Sequence, residues 1–424
     1  MIVIKRHYPD FNLLLESIPD HRKKKTYQVA EIIMAGLHIF IFKRGSRNNA
    51  DNGISGNFED NYIKLFGLRL PVMDTVHIFL KNLPPEELEK LKQILVQRLV
   101  EKKVLSKYRF NNRYVVGVDG TGIFSFDHEP FPGCPHKTSK KGKTTWQAYV
   151  LEAKILCGNG FSISLITEWV RNSENLDEKQ DCELKAFVRL AKNIKKTYPR
   201  LPIIIAADSL YPNKTIFNIC KSNNWHFILT FKDGTLKSVW QEVYLLYPLD
   251  EKKNKIEEFL CRDKKGWLYE KIMFLNNLEY DKFKIDWVEY TKSYANSEEY
   301  EARFVHVTDI RISKDNAFGI SSTGRLRWKI ENEGFNTQKN GGYKLQHKYS
   351  QKNLFAMQNY YQLLQIAHLI VQLAEKLKKV KEGIAKSGRT IKSIWEDMVA
   401  TMLKEIFITE DLEMQVDNTK QLRY

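Results

Sequence analysis

The chain has 424 residues, 43% hydrophobic and 28% charged, and its 67 Lys+Arg against 51 Asp+Glu leave a formal charge of +16. These proportions belong to a globular protein with ample core and exclude a disordered or low-complexity chain, while the basic surplus favours a polyanionic partner. Five scattered cysteines without a CxxC pair exclude a disulfide framework and a zinc cluster.

Residues 1–112 read as a helical region. "TYQVAEIIMAGLHIFIF" is apolar nearly all round and predicts a buried helix, too short to span a bilayer. "GSRNNADNGISGN" reads as a loop, and "PPEELEKLKQILVQRLVEKK" as a helix with Leu88, Leu91, Leu95 and Leu99 on one face. No export signal or anchor is read, so a cytoplasmic location without membrane contact is expected.

From Arg113 the period changes. "RYVVGVDGTG" reads as a short strand ending at Asp-Gly, and "TTWQAYVLEAKIL" and "FSISLITEWV" as a hairpin about "CGNG". A helix in "DCELKAFVRLAKNIKKTY", a strand in "LPIIIAADSLY", a helix in "NKTIFNICKSNN" and a strand in "WHFILTFKDG" complete a mixed α/β unit over 113–231. Residues 232–318 read as a small all-β insertion, with strands in "IEEFLCRD", "WLYEKIMFL", "FKIDWVEYT" and "EARFVHVTDI". Residues 319–378 return to helix in "GRLRWKIENEGFNTQKN" and "NLFAMQNYYQLLQIAHLIVQLAEKL", and 379–424 form a basic helical tail.

Two apolar strands are read as stopping on aspartate, Asp119 and Asp208. In neighbouring parallel strands both carboxylates leave the same sheet edge, where α/β proteins build sites; taken singly, each is an ordinary turn residue. The third candidate lies in "RWKIENEGFN". At about 100° per residue, Arg327, Trp328, Gly334, Phe335 and Gln338 share the side of Glu331, while Glu333 lies with Lys329 and Asn336. Glu331 is thus expected on the packed face and Glu333 on the solvated one. A packed carboxylate needs a cation, either a metal or Arg327 one turn back. Three carboxylates from distant segments suit Mg²⁺, with Mn²⁺ as a substitute, and two such ions serve phosphodiester displacement.

Asp119 in "VVGVDGTG", Asp208 in "IIIAADSLY" and Glu331 in "RLRWKIENEGF" together resemble the DDE transposases of prokaryotic insertion sequences. The narrower likeness is to the group with a β insertion between the second Asp and the Glu. That resemblance implies a ribonuclease H-like core, residues 1–112 as a DNA-end-binding region, Mg²⁺-dependent cleavage at terminal inverted repeats, strand transfer by the freed 3′-OH to target DNA, a homodimeric synaptic complex, and a nucleoid-associated location in a prokaryote. The group's helix signature is Tyr-x2-Arg-x3-Glu-x6-Lys. Arg327 and Glu331 fit it, whereas Gly324 and Gln338 stand at the Tyr and Lys positions, with Lys339 adjacent. Arg327, Lys339, Lys141 in the basic loop "HKTSKKGK" and Lys232 are the candidate DNA contacts. Glu152 is a possible auxiliary carboxylate, or simply a paired one. Trp267 and Trp287 are candidate base contacts, or core of the insertion. A metal-dependent nuclease or recombinase without joining activity, and a non-catalytic DNA-binding protein, remain as alternatives.

Overall fold

In the computed structural model the described residues are 2–172, 181–264, 266–295, 297, 299–417 and 422–424. Seven helices come first: α1 (Ile2–His7), α2 (Phe11–Glu16), α3 (Val29–Ile41), α4 (Arg47–Asn52), α5 (Phe58–Phe66), α6 (Met73–Asn82) and α7 (Pro85–Glu101). Every residue of α3 is buried, as its all-round apolar character requires. In α7, Pro85 opens the helix, Glu86 and Glu87 follow in its first turn, and the four leucines face inward. The segment expected as a plain loop contains α4, capped by the Ser46 hydroxyl, which accepts from the Asn49 N–H.

The strands are β1 (Tyr114–Phe126), β2 (His136–Thr138), β3 (Thr144–Leu156), β4 (Ser162–Val170), β5 (Ile203–Ala207), β6 (His226–Thr230), β7 (Lys255–Asp263), β8 (Gly266–Tyr280), β9 (Phe283–Tyr294) and β10 (Ala302–Thr308). Between them lie α8 (Glu183–Thr197), α9 (Lys214–Asn223) and α10 (Lys237–Asn254). After them come α11 (Ala317–Arg325), a π-helical turn over Ile330–Asn336, α12 (Thr337–Asn340), α13 (Leu354–Glu375), α14 (Lys378–Ser387), α15 (Ile391–Lys404) and α16 (Thr409–Asp417).

All ten strands join one mixed sheet of order β2-β3-β1-β5-β6-β10-β9-β8-β7, with β4 also on β3. β1, β5 and β6 run parallel, while β3 and β4 form an antiparallel hairpin beside β1. β10 pairs antiparallel with β6, so β7–β10 prolong the same sheet. The segment expected as a small separate all-β unit therefore has no sheet of its own, and it also contains α10, whose internal Pro248 and many aromatics disguise the helix.

Side chains alternate between two covers. Ile203, Ile205 and Ala207 of β5 pack into the core that includes Phe187 of α8 and Phe217 of α9, whereas Ile204 joins Ala317 and Ile320 of α11. α13 is buried almost throughout, between the sheet and helices α3, α6 and α7. The tail closes back over the N-terminal helices: Asn61 donates to the carbonyls of Met402 and Glu405, and the Asn57 N–H donates to that of Leu403. No helix among the described residues is long and apolar enough to cross a membrane.

Candidate active site

β1 and β5 pair from Tyr114↔Ile203 to Gly117↔Ala206. Carrying that register two residues further sets Asp119 beside Asp208 on the same face of the sheet. Asp208 lies just past β5, and its carboxylate accepts the Leu210 N–H at 2.9 Å. Asp119 is not at a strand end, contrary to the sequence reading. β1 continues to Phe126 because β3 keeps pairing with it, as far as Phe126↔Trp146. Asp119 thus projects from the middle of a long strand, level with the end of its shorter parallel neighbour.

The π-helical turn brings the third carboxylate over this face. A Cβ added at Gly117 would lie 3.6 Å from the Ile330 Cβ, so the turn rests on β1 two residues before Asp119. Arg327 Nη1 donates to Glu331 Oε1 at 2.8 Å and stands 3.8 Å from Asp119 Oδ2. Its guanidinium lies 4.6 Å over the Trp328 ring, and its side chain is only 8% exposed. Burial pushes the Asp119 carboxyl up to about 7; Glu331 and Glu183 add to this, while Arg327 and the Gly120 N–H oppose it. Among the described residues no three metal-ligating side chains stand close enough to grip one ion in this arrangement. Asp119, Asp208 and Glu331 carry oxygen donors only, the ligand type a hard divalent cation takes.

Glu333 points elsewhere. It pairs with Lys329 at 2.7 Å, and it lines a cavity of about 1130 Å³ with Lys43, Lys344, Lys376 and Trp395. The expected contrast between a packed Glu331 and a solvated Glu333 is reversed: the side chains are 40% and 31% exposed, and Glu333 Oε2 is buried. Trp328, expected to pack, is 49% exposed.

Both departures from the helix signature have a structural cause. A Cβ on Gly324 would meet the His306 ring, 2.6 Å from Nε2, so the imidazole from β10 fills the space a larger residue would need. Gln338 does not face the site. It is fully buried, donating to Gln365 Oε1 at 2.9 Å and bonded to His368 Nδ1 at 2.9 Å. The i→i+5 bonding of the π-turn advances less per residue than an α-helix, so a regular helical wheel misplaces every residue beyond Glu331. Lys339 is half-buried, and its side chain makes no hydrogen bond or ion pair among the described residues.

Lys232 is exposed just after β6, and β6 parallels β5, so it stands at the edge carrying Asp208. Lys141 is exposed in the β2–β3 turn, roughly 20 Å or more beyond Asp119 along the strands. Glu152 is opposite Asp119 in register but fully buried, accepting from Thr167 at 2.5 Å and Tyr361 at 3.0 Å. Trp287 is core, 1% exposed, and Trp267 is 46% exposed beside Phe259. The sequence reading overlooked Glu183, whose carboxylate accepts from the Tyr149 hydroxyl next to β1. The signal was the pair Gly120 and Gly122 inside a strand, since interior strand glycines mark close approach. A Cβ on Gly120 would lie 2.6 Å from Glu183 Oε1. No protein-family model matches the chain, and no curated protein matches it.

Proposed function

We propose that this chain is a DDE transposase that cleaves phosphodiester bonds at transposon ends and joins the freed 3′-OH to target DNA. The observation that supports this reading is the β1–β5 register, which carried two residues further levels Asp119 with Asp208, together with Arg327 linking Glu331 to Asp119. The strand order β4-β3-β1-β5-β6, antiparallel in its first half and parallel in its second, accords with the ribonuclease H-like core that the resemblance implies. Asp119, Asp208 and Glu331 would hold Mg²⁺ or Mn²⁺. Two such ions, when bound, would supply Lewis acidity at the attacking and leaving oxygens. Asp119 and Asp208 are fixed by neighbouring strands, so their spacing is set before any ligand arrives. Arg327 has the planar fork that suits a phosphate, and the exposed Lys232 stands at the edge carrying Asp208, where a DNA backbone would pass, with Lys141 farther out along the strands. Double-stranded DNA and a second copy of the chain are the proposed partners.

The test uses inverted repeats mapped in the DNA flanking the gene, with Mg²⁺ or Mn²⁺. Asp119→Ala, Asp208→Ala and Glu331→Ala should each abolish cleavage while end binding persists, because the basic surface is untouched. Robust cleavage by any of the three sinks the assignment. Joined product from a pre-cut end separates a transposase from a nuclease. The Arg327–Glu331 pair is also what a non-catalytic DNA-binding helix would display, and wild-type protein that binds ends without metal-dependent nicking would favour that reading.

A further inference from the structure

Arg327 occupies an unusual place for a residue meant to touch DNA. Its side chain is nearly buried, and one nitrogen, Nη1, serves carboxylates from two separate elements, Glu331 on the π-turn and Asp119 on β1. The ring of Trp328 lies 4.6 Å from the guanidinium carbon, and the neighbouring Nε is buried without a hydrogen-bond partner. A divalent ion drawn to the same oxygens would stand within a few ångströms of this guanidinium, and like charges that close in a partly dry site repel strongly. A phosphate offers the planar guanidinium two acceptor oxygens for a two-pronged contact, which the single-nitrogen bridge to Glu331 and Asp119 does not.

We propose that Arg327 is a built-in counter-ion that keeps Asp119 and Glu331 closed to divalent metal until a phosphate group draws it away. The inference rests on the reading of these carboxylates as metal ligands. It makes Arg327 a positioning residue in the free protein and a phosphate contact in the bound one. Metal and DNA then assist each other, since whatever removes the guanidinium from the carboxylates lowers the barrier to the other ligand.

The experiment titrates Mn²⁺ alone, without DNA, onto the full-length chain and follows binding by calorimetry and by the electron paramagnetic resonance of free Mn²⁺. Arg327→Gln should bind Mn²⁺ at least tenfold more tightly than wild type. Arg327→Lys keeps the charge and should stay within about threefold of wild type. Lys329→Gln removes the same charge two residues away, from the Glu333 pair, and should change affinity less than threefold. Equal or weaker binding by Arg327→Gln, or an equal gain in Lys329→Gln, overturns the inference and leaves the metal reading standing. No binding by wild type or by any variant overturns both. Should Arg327→Gln fail to fold, the ¹⁵N resonance of the Arg327 guanidinium is followed in wild-type protein. It should move as Mg²⁺ saturates, and a resonance unmoved at saturation overturns the proposal.

Discussion

Glu331 and Glu333 differ by two positions and by everything that surrounds them. One shares Arg327 with Asp119; the other shares Lys329 and turns toward a basic cavity. Glu331→Gln should therefore lower cleavage on the order of a hundredfold or more, the scale of losing one charged group at a reacting centre, while Glu333→Gln retains most activity. The reverse ranking in initial rates would assign the reactive face to Glu333. Gly324 offers a second comparison. Adding a Cβ there presses on the His306 ring, and overpacking of this kind costs about 1–3 kcal/mol, partly offset by the better helix propensity of alanine. Gly324→Ala should be destabilised by about 1 kcal/mol in urea unfolding, and a His306→Ala background should reduce that cost, leaving the part due to Ile228 Cγ2, 2.8 Å from the same Cβ. Additive effects in that cycle would remove the ring contact as the cause.

The π-turn is the element that decides which side chains reach the site. It carries Glu331 toward β1 and Gln338 into a buried chain of hydrogen bonds. In that chain Lys154 donates to Gln365 at 3.0 Å, and Gln365 and Gln338 bond reciprocally. A sequence-level wheel sets Gln338 beside Glu331 and makes Gln338→Lys tolerated or mildly activating. The structure reverses that expectation. A second ammonium near Lys154, itself fully buried, would lose Gln338's amide partners and add an unpaired charge. Gln338→Lys should cost about 2–3 kcal/mol of stability, read from the midpoint of chemical unfolding with the slope unchanged. A variant as stable as wild type would mean the side chain escapes to the surface.

Acid should loosen the protein through histidines that the fold keeps neutral. His38 lies wholly inside α3, and burial, helped by Arg44 and opposed by the weaker effect of the Ala35 backbone, pushes its pKa down to about 3. His306 is pushed down to about 4, again chiefly by burial. In the unfolded chain both take up protons near 6.5, so the stability of the neutral native form is present above 6.5 and is lost as pH falls toward the folded values. Each contributes a slope of about 1.4 kcal/mol per pH unit within that window. His38→Phe should flatten the decline between pH 6 and 4 by about 1 kcal/mol per unit, and an unchanged slope would show that His38 finds a proton in the native state. His38 sits against Phe42, Phe58 and Tyr62, and the C-terminal tail bonds to the segment that includes Tyr62, so the readout covers both ends of the chain.

Most elements were legible in the sequence because their signals are local. The period of Leu88, Leu91, Leu95 and Leu99, the all-apolar run of α3, the alternation of β3 and β4 about "CGNG", and the apolar string before Asp208 each follow from nearest neighbours and from which face must be dry. The offset between Asp119 and Asp208 was already present in the sequence, and it coincides with the β1–β5 register, so a pairing hypothesis alone would have put them level. Long-range contacts settled the rest. β1 runs on past Asp119 because β3, across a hairpin, keeps supplying partners, and β7–β10 join the main sheet because β10 finds the free edge of β6. The phase of Glu331 and Gln338 depends on an inserted π-turn that no propensity announces, and the room at Gly324 belongs to His306, a side chain from another strand. Burial pattern and propensity are properties of a segment, whereas register, helical phase and the partner of a charge are set by whatever packs against it.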